Sequence, residues 1–263
     1  MITAKSRIPS AHIESGARCY DMAMEEEINR RVIDHISSLL FTHSENCNDN
    51  LLRENVLGHV IFSGDTTFEV YEKSLLKTLG NDIFDKLKPK EYFVLTVHRE
   101  EDAEDSVKLL SILKAVTSLE EKVVFPAHPK TRNKLTQIGV KINNENLILI
   151  NPLDYFSMMK LVKESTLVIT DSGGLQKEAF WSKVPCITLR KKTEWIETVK
   201  LGVNFLAGTN EREIVSLIKS VMNDYDEIMT RLKDAHNPYI NADLIPSKVI
   251  MDHLILVGKN CLG

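Results

Sequence analysis

No stretch of the sequence reaches the 18 or so consecutive apolar residues at which a membrane-spanning helix becomes the natural reading. The amino terminus, MITAKSRIPSAHIESG, also lacks the apolar run of a secretory signal. There is no basic excess: 33 Lys and Arg stand against 37 Asp and Glu, a formal net charge of −4. An electrostatic partnership with nucleic acid or an anionic membrane therefore has nothing to rest on. Cysteine is scarce and scattered. The four residues, Cys19, Cys47, Cys186 and Cys261, contain no C-x-x-C pair. In a chain this long they do not form a disulfide framework, and reduced thiols in a cytoplasmic protein are expected. The eight histidines are equally dispersed. His43 and Cys47 share a helix face at i, i+4, but no third and fourth ligand stands at a sensible spacing, so no metal site is expected. What the chain does have is apolar content: 43% hydrophobic and 27% charged over 263 residues. That is too apolar for disorder and enough for one large domain or two moderate ones.

The dominant rhythm is a short apolar run followed by a longer segment of helical period. The runs are PSAHI ending at Ile13, LLFTH ending at His43, VIFSG ending at Gly64, YFVLTV (92–97), KVVFPA (122–127), LILI (147–150), TLVIT (166–170) and PCITL (185–189). Continuously apolar strands are those covered on both faces by helices, so parallel sheets are expected. Over 25–40 the apolar residues Ile28, Val32, Ile36, Leu39 and Leu40 recur at helical spacing, and over 104–120 Val107, Leu109, Leu110, Leu113 and Val116 do the same. Alternating strand and helix predicts an α/β doubly wound architecture. A long helix is predicted around 210–233 and a final one over 247–259.

The polar, Lys-rich stretch GNDIFDKLKPKE (80–91) marks a boundary. The expected domains are 1–85, 86–235 and a closing segment 236–263. Residues 92–207 hold about six strands, enough for a complete Rossmann-like half, whereas residues 1–79 hold only about three. At about 30 residues per βαβ step, roughly 100 residues are expected before Met1 in a complete protein of this kind.

Several motifs fall at strand ends, where open α/β sheets bind ligands. Thr170-Asp171-Ser172-Gly173-Gly174-Leu175-Gln176 follows TLVIT and opens a helix. A helix N-terminus suits phosphate, and glycines let the backbone come close to a ligand. A tight βα turn with Ser172 as cap explains the same residues. Glu178, one turn further on, is placed to accept from ribose hydroxyls. Thr96-Val97-His98-Arg99-Glu100-Glu101 puts a His and an Arg at the end of the first strand of the complete half, where they contact an anion or form a solvated loop. His12-Ile13-Glu14-Ser15-Gly16-Ala17-Arg18 follows the first strand, and Glu25-Glu26-Glu27 opens a helix before Asn29-Arg30-Arg31. The macrodipole alone favours acidic residues there; the functional alternative pairs Glu14 with Glu26 as acid and base on a sugar. Pro126-Ala127-His128-Pro129-Lys130-Thr131-Arg132 and Arg190-Lys191-Lys192-Thr193-Glu194-Trp195-Ile196-Glu197 complete the set.

Taken in order, HIESGAR, MEEEINRR, TVHREE, PAHPKTR, TDSGGLQKEA and LRKKTEW resemble the UDP-N-acetylglucosamine 2-epimerase family over essentially the whole chain. The resemblance implies the GT-B architecture: two Rossmann-like halves, a UDP-sugar between them, and a C-terminal helix returning to the first half. It implies elimination of UDP from the anomeric carbon as a proton leaves C2, through a glycal. Non-hydrolysing members then restore UDP; hydrolysing members add water. By motif match Glu14 and Glu26 are the carboxylates, His98 stands beside the diphosphate, Ser172, Gly173 and Gly174 hold the phosphates, and Glu178 holds the ribose. No cofactor and no metal is implied, and a homodimer is. The chain departs from the family at three places. Ser63-Gly64-Asp65-Thr66 is not the family's aspartate motif, which belongs with an N-terminal arginine to the segment expected before Met1. Glu25 stands where the family has Pro. Thr193-Glu194-Trp195-Ile196 stands where most members read Thr-Glu-Arg-Pro, which replaces an arginine fork with an indole. The form QKEAF, VPCITLR, TEW is closer to the branch acting on UDP-2,3-diacetamido-2,3-dideoxyglucuronate. A UDP-binding fragment without turnover and a GT-B glycosyltransferase are the remaining alternatives.

Overall fold

The computed structural model describes residues 2–75, 84–97, 105–137, 145–241 and 244–261, with side chains described through Gly258. The chain forms two compact units, Met1–Lys73 together with His236–Gly263, and Ser74–Ala235.

The first unit is built on a parallel sheet of β1 (Ala11–Ile13), β2 (Leu39–Thr42) and β3 (His59–Phe62), in that order. Its core is assembled from both ends of the sequence. Leu39 and Phe41 of β2 pack with Ile250 of the helix Pro246–Cys261, flanked by Ile61 and Val257. The Phe41 ring meets His253 edge to face, with centroids 6.1 Å apart. Gly64 turns the chain at φ 80, and the Asp65 N–H then donates to the Tyr239 carbonyl at 2.9 Å. Ser247 bonds both oxygens of Glu69 at 2.6 and 2.9 Å.

The second unit carries a six-stranded parallel sheet in the order β6-β5-β4-β7-β8-β9: β4 (Tyr92–Thr96), β5 (Lys122–Pro126), β6 (Leu147–Ile150), β7 (Leu167–Thr170), β8 (Cys186–Thr188) and β9 (Asn204–Leu206). The central strands are apolar throughout because helices cover both faces. Phe93, Val94, Val124, Phe125, Val168 and Ile169 are fully enclosed. The helix Ser106–Thr117 buries Leu109, Ile112, Leu113 and Val116 and is capped by Asp105, whose carboxylate accepts from Val107 and Lys108 N–H. Cys19, Cys47 and Cys186 are buried. Burial pushes the Cys186 thiol up to about 12, so it packs and does not react.

Two expectations shift. The helix expected over 25–40 ends at Ile36, and Leu39 and Leu40 belong to β2. The helix expected around 210–233 is two, Glu211–Asn223 and Tyr225–Asp234, parted at Asp224; Asn and Asp are weak helix formers and settle at such ends. The larger sheet has the six strands expected; the one given no run in the sequence lies at Asn204–Leu206, only three residues long.

The helix Glu25–Ile36 is turned the opposite way from its hydrophobic pattern. Glu27 and Asp34 are fully buried, whereas Ile28 and Val32 remain 44% and 42% exposed. Burying carboxylates costs several kcal/mol each unless donors surround them, and here they do. Glu27 accepts from the backbone N–H of Cys19 at 3.0 Å and of Tyr20 at 3.3 Å, and from Arg30 at 3.1 Å and Arg31 at 3.2 Å. Asp34 pairs with Arg18 at 2.7 Å, and Arg18 also grips Glu54 through two bonds of 2.9 and 2.8 Å. Burial by itself raises the carboxyl pKa of Glu27 and of Asp34, but the hydrogen bonds and arginine charges outweigh it and hold both below the usual range. The Arg18 bonds hold Glu54 low as well.

Two outcomes follow from this packing. Phe41→Ala should destabilise the first unit by about 3–5 kcal/mol, read by denaturant unfolding, because it empties the centre of the cluster. Folded-state pKa values below the unfolded ones mean that the three carboxylates contribute stability above the unfolded values of about 4. That contribution drains away as pH falls toward the folded values. The first unit's unfolding midpoint should therefore fall as pH drops below about 4, where the unfolded chain takes up protons first; an unchanged midpoint down to strong acid would contradict it.

Candidate active site

In the larger sheet the chain leaves β4 for β5 and β6 on one side and crosses back to β7 on the other. This reversal opens a crevice at the carboxyl ends of β4 and β7, the place where open α/β sheets bind ligands. A cavity of about 510 Å³ occupies it. Thr96 and Val97 reach it from β4, Pro126 and His128 from β5, Pro152 from β6, and Ser172, Gly174 and Glu178 from the segment after β7. Tyr155, Met158 and Met159 add an apolar wall.

The turn after β7 is tightly determined. The Thr96 and Thr170 hydroxyls bond each other at 2.6 Å, and Thr170 Oγ1 accepts from the Ser172 N–H at 2.9 Å. Ser172 caps the helix Gly173–Trp181, its hydroxyl accepting from the Leu175 N–H at 3.4 Å. The first N–H groups of a helix have no intrahelical acceptor and carry partial positive charge, so this terminus suits an anion. A buried amide network fixes the helix from behind. Gln176 Nε2 donates to the Ser172 carbonyl at 3.1 Å, while Gln176 Oε1 accepts from Thr193 at 2.7 Å and from Asn204 at 3.0 Å. Asn204 in turn accepts from Thr188 at 2.7 Å.

The two glycines differ. A Cβ on Gly174 would meet nothing within 4 Å, whereas one on Gly173 would lie 3.0 Å from Glu194 Oε1 and 3.3 Å from Trp195 Nε1. Gly174 thus leaves the cavity wall open, and Gly173 makes room for the 190–195 segment. Within it Arg190, Thr193, Glu194 and Trp195 are buried while Lys191 and Lys192 stay exposed: Arg190 pairs with Glu194 at 3.1 Å, and the Lys177 ammonium lies 4.1 Å from the Trp195 ring centroid. Position 195 is a packed wall beside the helix start.

Glu14 and Glu26 both belong to the first unit. Glu26 is exposed in the first turn of its helix, and Glu14 is half-buried just past β1. Glu14 sits at φ 63, a left-handed conformation that costs a non-glycine residue on the order of 1–3 kcal/mol and clusters at functional sites. His98 lies outside the described residues. Asp34 carries no motif signal; its one mark is a charged stripe with Glu27, Arg30 and Arg31 that reads as a solvent face. Met158 and Met159 read only as helix core. Among the described residues no three His, Cys, Asp or Glu side chains come together as a metal site, and no helix is long and apolar enough to cross a membrane.

The sequence profile described as UDP-N-acetylglucosamine 2-epimerase matches residues 1–249. A UDP-N-acetylglucosamine 2-epimerase homolog of Methanococcus maripaludis is 40% identical over 82% of this chain and 62% of its own length. The UDP-2,3-diacetamido-2,3-dideoxy-D-glucuronate 2-epimerase of Pseudomonas aeruginosa is 36% identical over 85% of this chain and 65% of its own. The chain thus spans under two thirds of the length of these relatives. The crystal structure of Methanocaldococcus jannaschii UDP-GlcNAc 2-epimerase in complex with UDP-GlcNAc and UDP superimposes with a TM-score of 0.85 at 32% identity, over 97% of this chain and 71% of that one. The Neisseria meningitidis UDP-GlcNAc 2-epimerase bound to UDP-GlcNAc does so at 0.81 and 28%, over 96% and 71%. The fold is α/β and GT-B-like, with a parallel sheet in each unit, and the chain belongs to the UDP-N-acetylglucosamine 2-epimerase family.

Proposed function

We propose that the protein interconverts UDP-N-acetylglucosamine-type and UDP-N-acetylmannosamine-type sugars. The observation that carries this reading is the cavity at the reversal of the larger sheet, with Ser172, Gly174 and Glu178 on its wall. The diphosphate lies over the start of the helix Gly173–Trp181, where unpaired N–H groups and the helix dipole favour negative charge. Glu178 accepts from the ribose hydroxyls, and His98 serves the departing diphosphate.

Glu14 and Glu26 handle the C2 proton. One carboxylate removes it while the C1–O bond breaks. UDP leaves with the electron pair of that bond, and a C1=C2 double bond forms. A proton then returns to the opposite face of C2 and UDP adds back to C1, so the overall reaction is an isomerisation with no net change of atoms. UDP made in the first half must stay bound for the second, which gives the phosphate contacts a retaining role as well as a binding one. The cytoplasm is the site of action in this reading, and a homodimer is the proposed assembly.

The relatives' names include two sugars, and identities of 40% and 36% do not separate them. UDP-N-acetylglucosamine and UDP-2,3-diacetamido-2,3-dideoxyglucuronate should therefore be assayed side by side. Glu14→Gln and Glu26→Gln should each lower turnover by about 100-fold or more, measured as deuterium uptake at C2 in heavy water. UDP affinity by calorimetry should stay within about twofold of wild type, since the losses belong to the chemical step. Rates equal to wild type would remove these carboxylates from the mechanism. Gly174→Val should weaken UDP binding at least about tenfold by putting a branched side chain into the open cavity wall. Its thermal midpoint should hardly move, because a Cβ at this position meets nothing within 4 Å; unchanged affinity would place the nucleotide elsewhere.

A further inference from the structure

Among the described non-glycine residues with positive φ, Glu14 is the one to which the proposed function gives a chemical role. A glutamate persists at φ 63 only where its surroundings impose that conformation, since rotation to negative φ is downhill. One side chain supplies much of the imposition. Asp34 is fully buried on the helix Glu25–Ile36 and engages the chain on both sides of Glu14. Its Oδ1 takes the His12 Nδ1 at 2.6 Å, two residues before, and its Oδ2 takes the Gly16 N–H at 3.1 Å, two residues after. Arg18 holds the same Oδ2 at 2.7 Å.

The remaining bonds close the frame. The Ser15 hydroxyl donates to the His12 carbonyl at 2.8 Å, the Ser15 N–H to the Phe41 carbonyl at 3.0 Å, and Asn50 Nδ2 to the Gly16 carbonyl at 2.9 Å. Gly16, at φ 79, is seated so closely that a Cβ would fall 2.3 Å from the Cys47 carbonyl oxygen. Every residue flanking Glu14 is thus tied to a rigid element, and a helix-borne carboxylate is a firmer anchor than a loop contact. We propose that Asp34 is a positioning residue: through His12 and Gly16 it holds Glu14 in the left-handed conformation that aims its carboxylate at the substrate. This deepens the epimerase reading and rests on it.

A double-mutant cycle tests the proposal. Asp34→Asn keeps the volume but loses the charge and one acceptor. It should lower kcat by at least about tenfold with KM within about twofold, because it misaligns a group that acts in the transition state. If Asp34 acts through Glu14, Asp34→Asn combined with Glu14→Gln should be no slower than Glu14→Gln alone. Losses that multiply would overturn the proposal, and so would a full rate in Asp34→Asn. Should Asp34→Asn fail to fold, His12→Ala leaves the Asp34–Arg18 pair intact and goes through the same cycle with the same two outcomes. A wild type without turnover of either UDP-sugar would sink the epimerase reading. In that event the crystal structure of the variant decides: Glu14 moved to negative φ supports the positioning role, and Glu14 unmoved refutes it.

Discussion

Arg18 and Asp34 are both sealed from water, and neither charge is tolerable without the other. Removing one partner from such a pair leaves a buried charge uncompensated, at a cost of roughly 3–5 kcal/mol. The first unit is arranged so that this does not arise. Arg18 spends its remaining donors on Glu54 and the Ala17 carbonyl, and Asp34 spends its remaining lone pairs on His12 and Gly16. The same atoms that neutralise the pair also fix the backbone around Glu14. Stability of the first unit and the geometry of its proposed reactive carboxylate therefore rest on one set of contacts.

The second unit solves a different problem. Its crevice comes from sheet topology and needs no buried charge to exist. What requires care is the turn after β7, which must stop a strand, start a helix and leave a wall open within a few residues. Thr170 and Ser172 supply the stop and the cap, Gly174 the opening, and Gly173 the clearance for Trp195. The Gln176, Thr193 and Asn204 side chains then join the helix to the neighbouring loop and to β9 from the buried side. A fully bonded polar network of this kind specifies one arrangement where apolar packing would tolerate several.

The apolar strands were legible from their sequence because covered parallel strands are written as continuous Val, Ile and Leu runs. So were the strand ends that meet at the cavity, since Thr96, Pro126, His128 and Ser172 all follow or close such runs. Asn204–Leu206 was not, since a three-residue edge strand carries little pattern. Nor was the orientation of the helix Glu25–Ile36. Periodicity reports which face is apolar, and the rule that the apolar face turns inward holds only when burial of carbon decides the orientation. Here the donors around Glu27 and Asp34 decide it, and donors contributed by residues 16 to 20 cannot be seen in the helix's own spacing. The two glycines of Ser172-Gly173-Gly174 read alike for a similar reason: what separates them is the distant Glu194 and Trp195.

The first unit is discontinuous along the chain, with Leu39 and Phe41 meeting Ile250 across the whole length of the second unit. On the ribosome, residues 74–235 are synthesised before residues 246–261 exist. The larger sheet has all its own strands by then and is free to collapse, while the smaller one waits with the apolar face of β2 uncovered. Sequence separation of this size delays closure, and an uncovered sheet is prone to sticking to its neighbours in the interval. Newborn chains thus pass through a period in which every strand of one unit has been made while the other depends on being shielded until synthesis has passed residue 257.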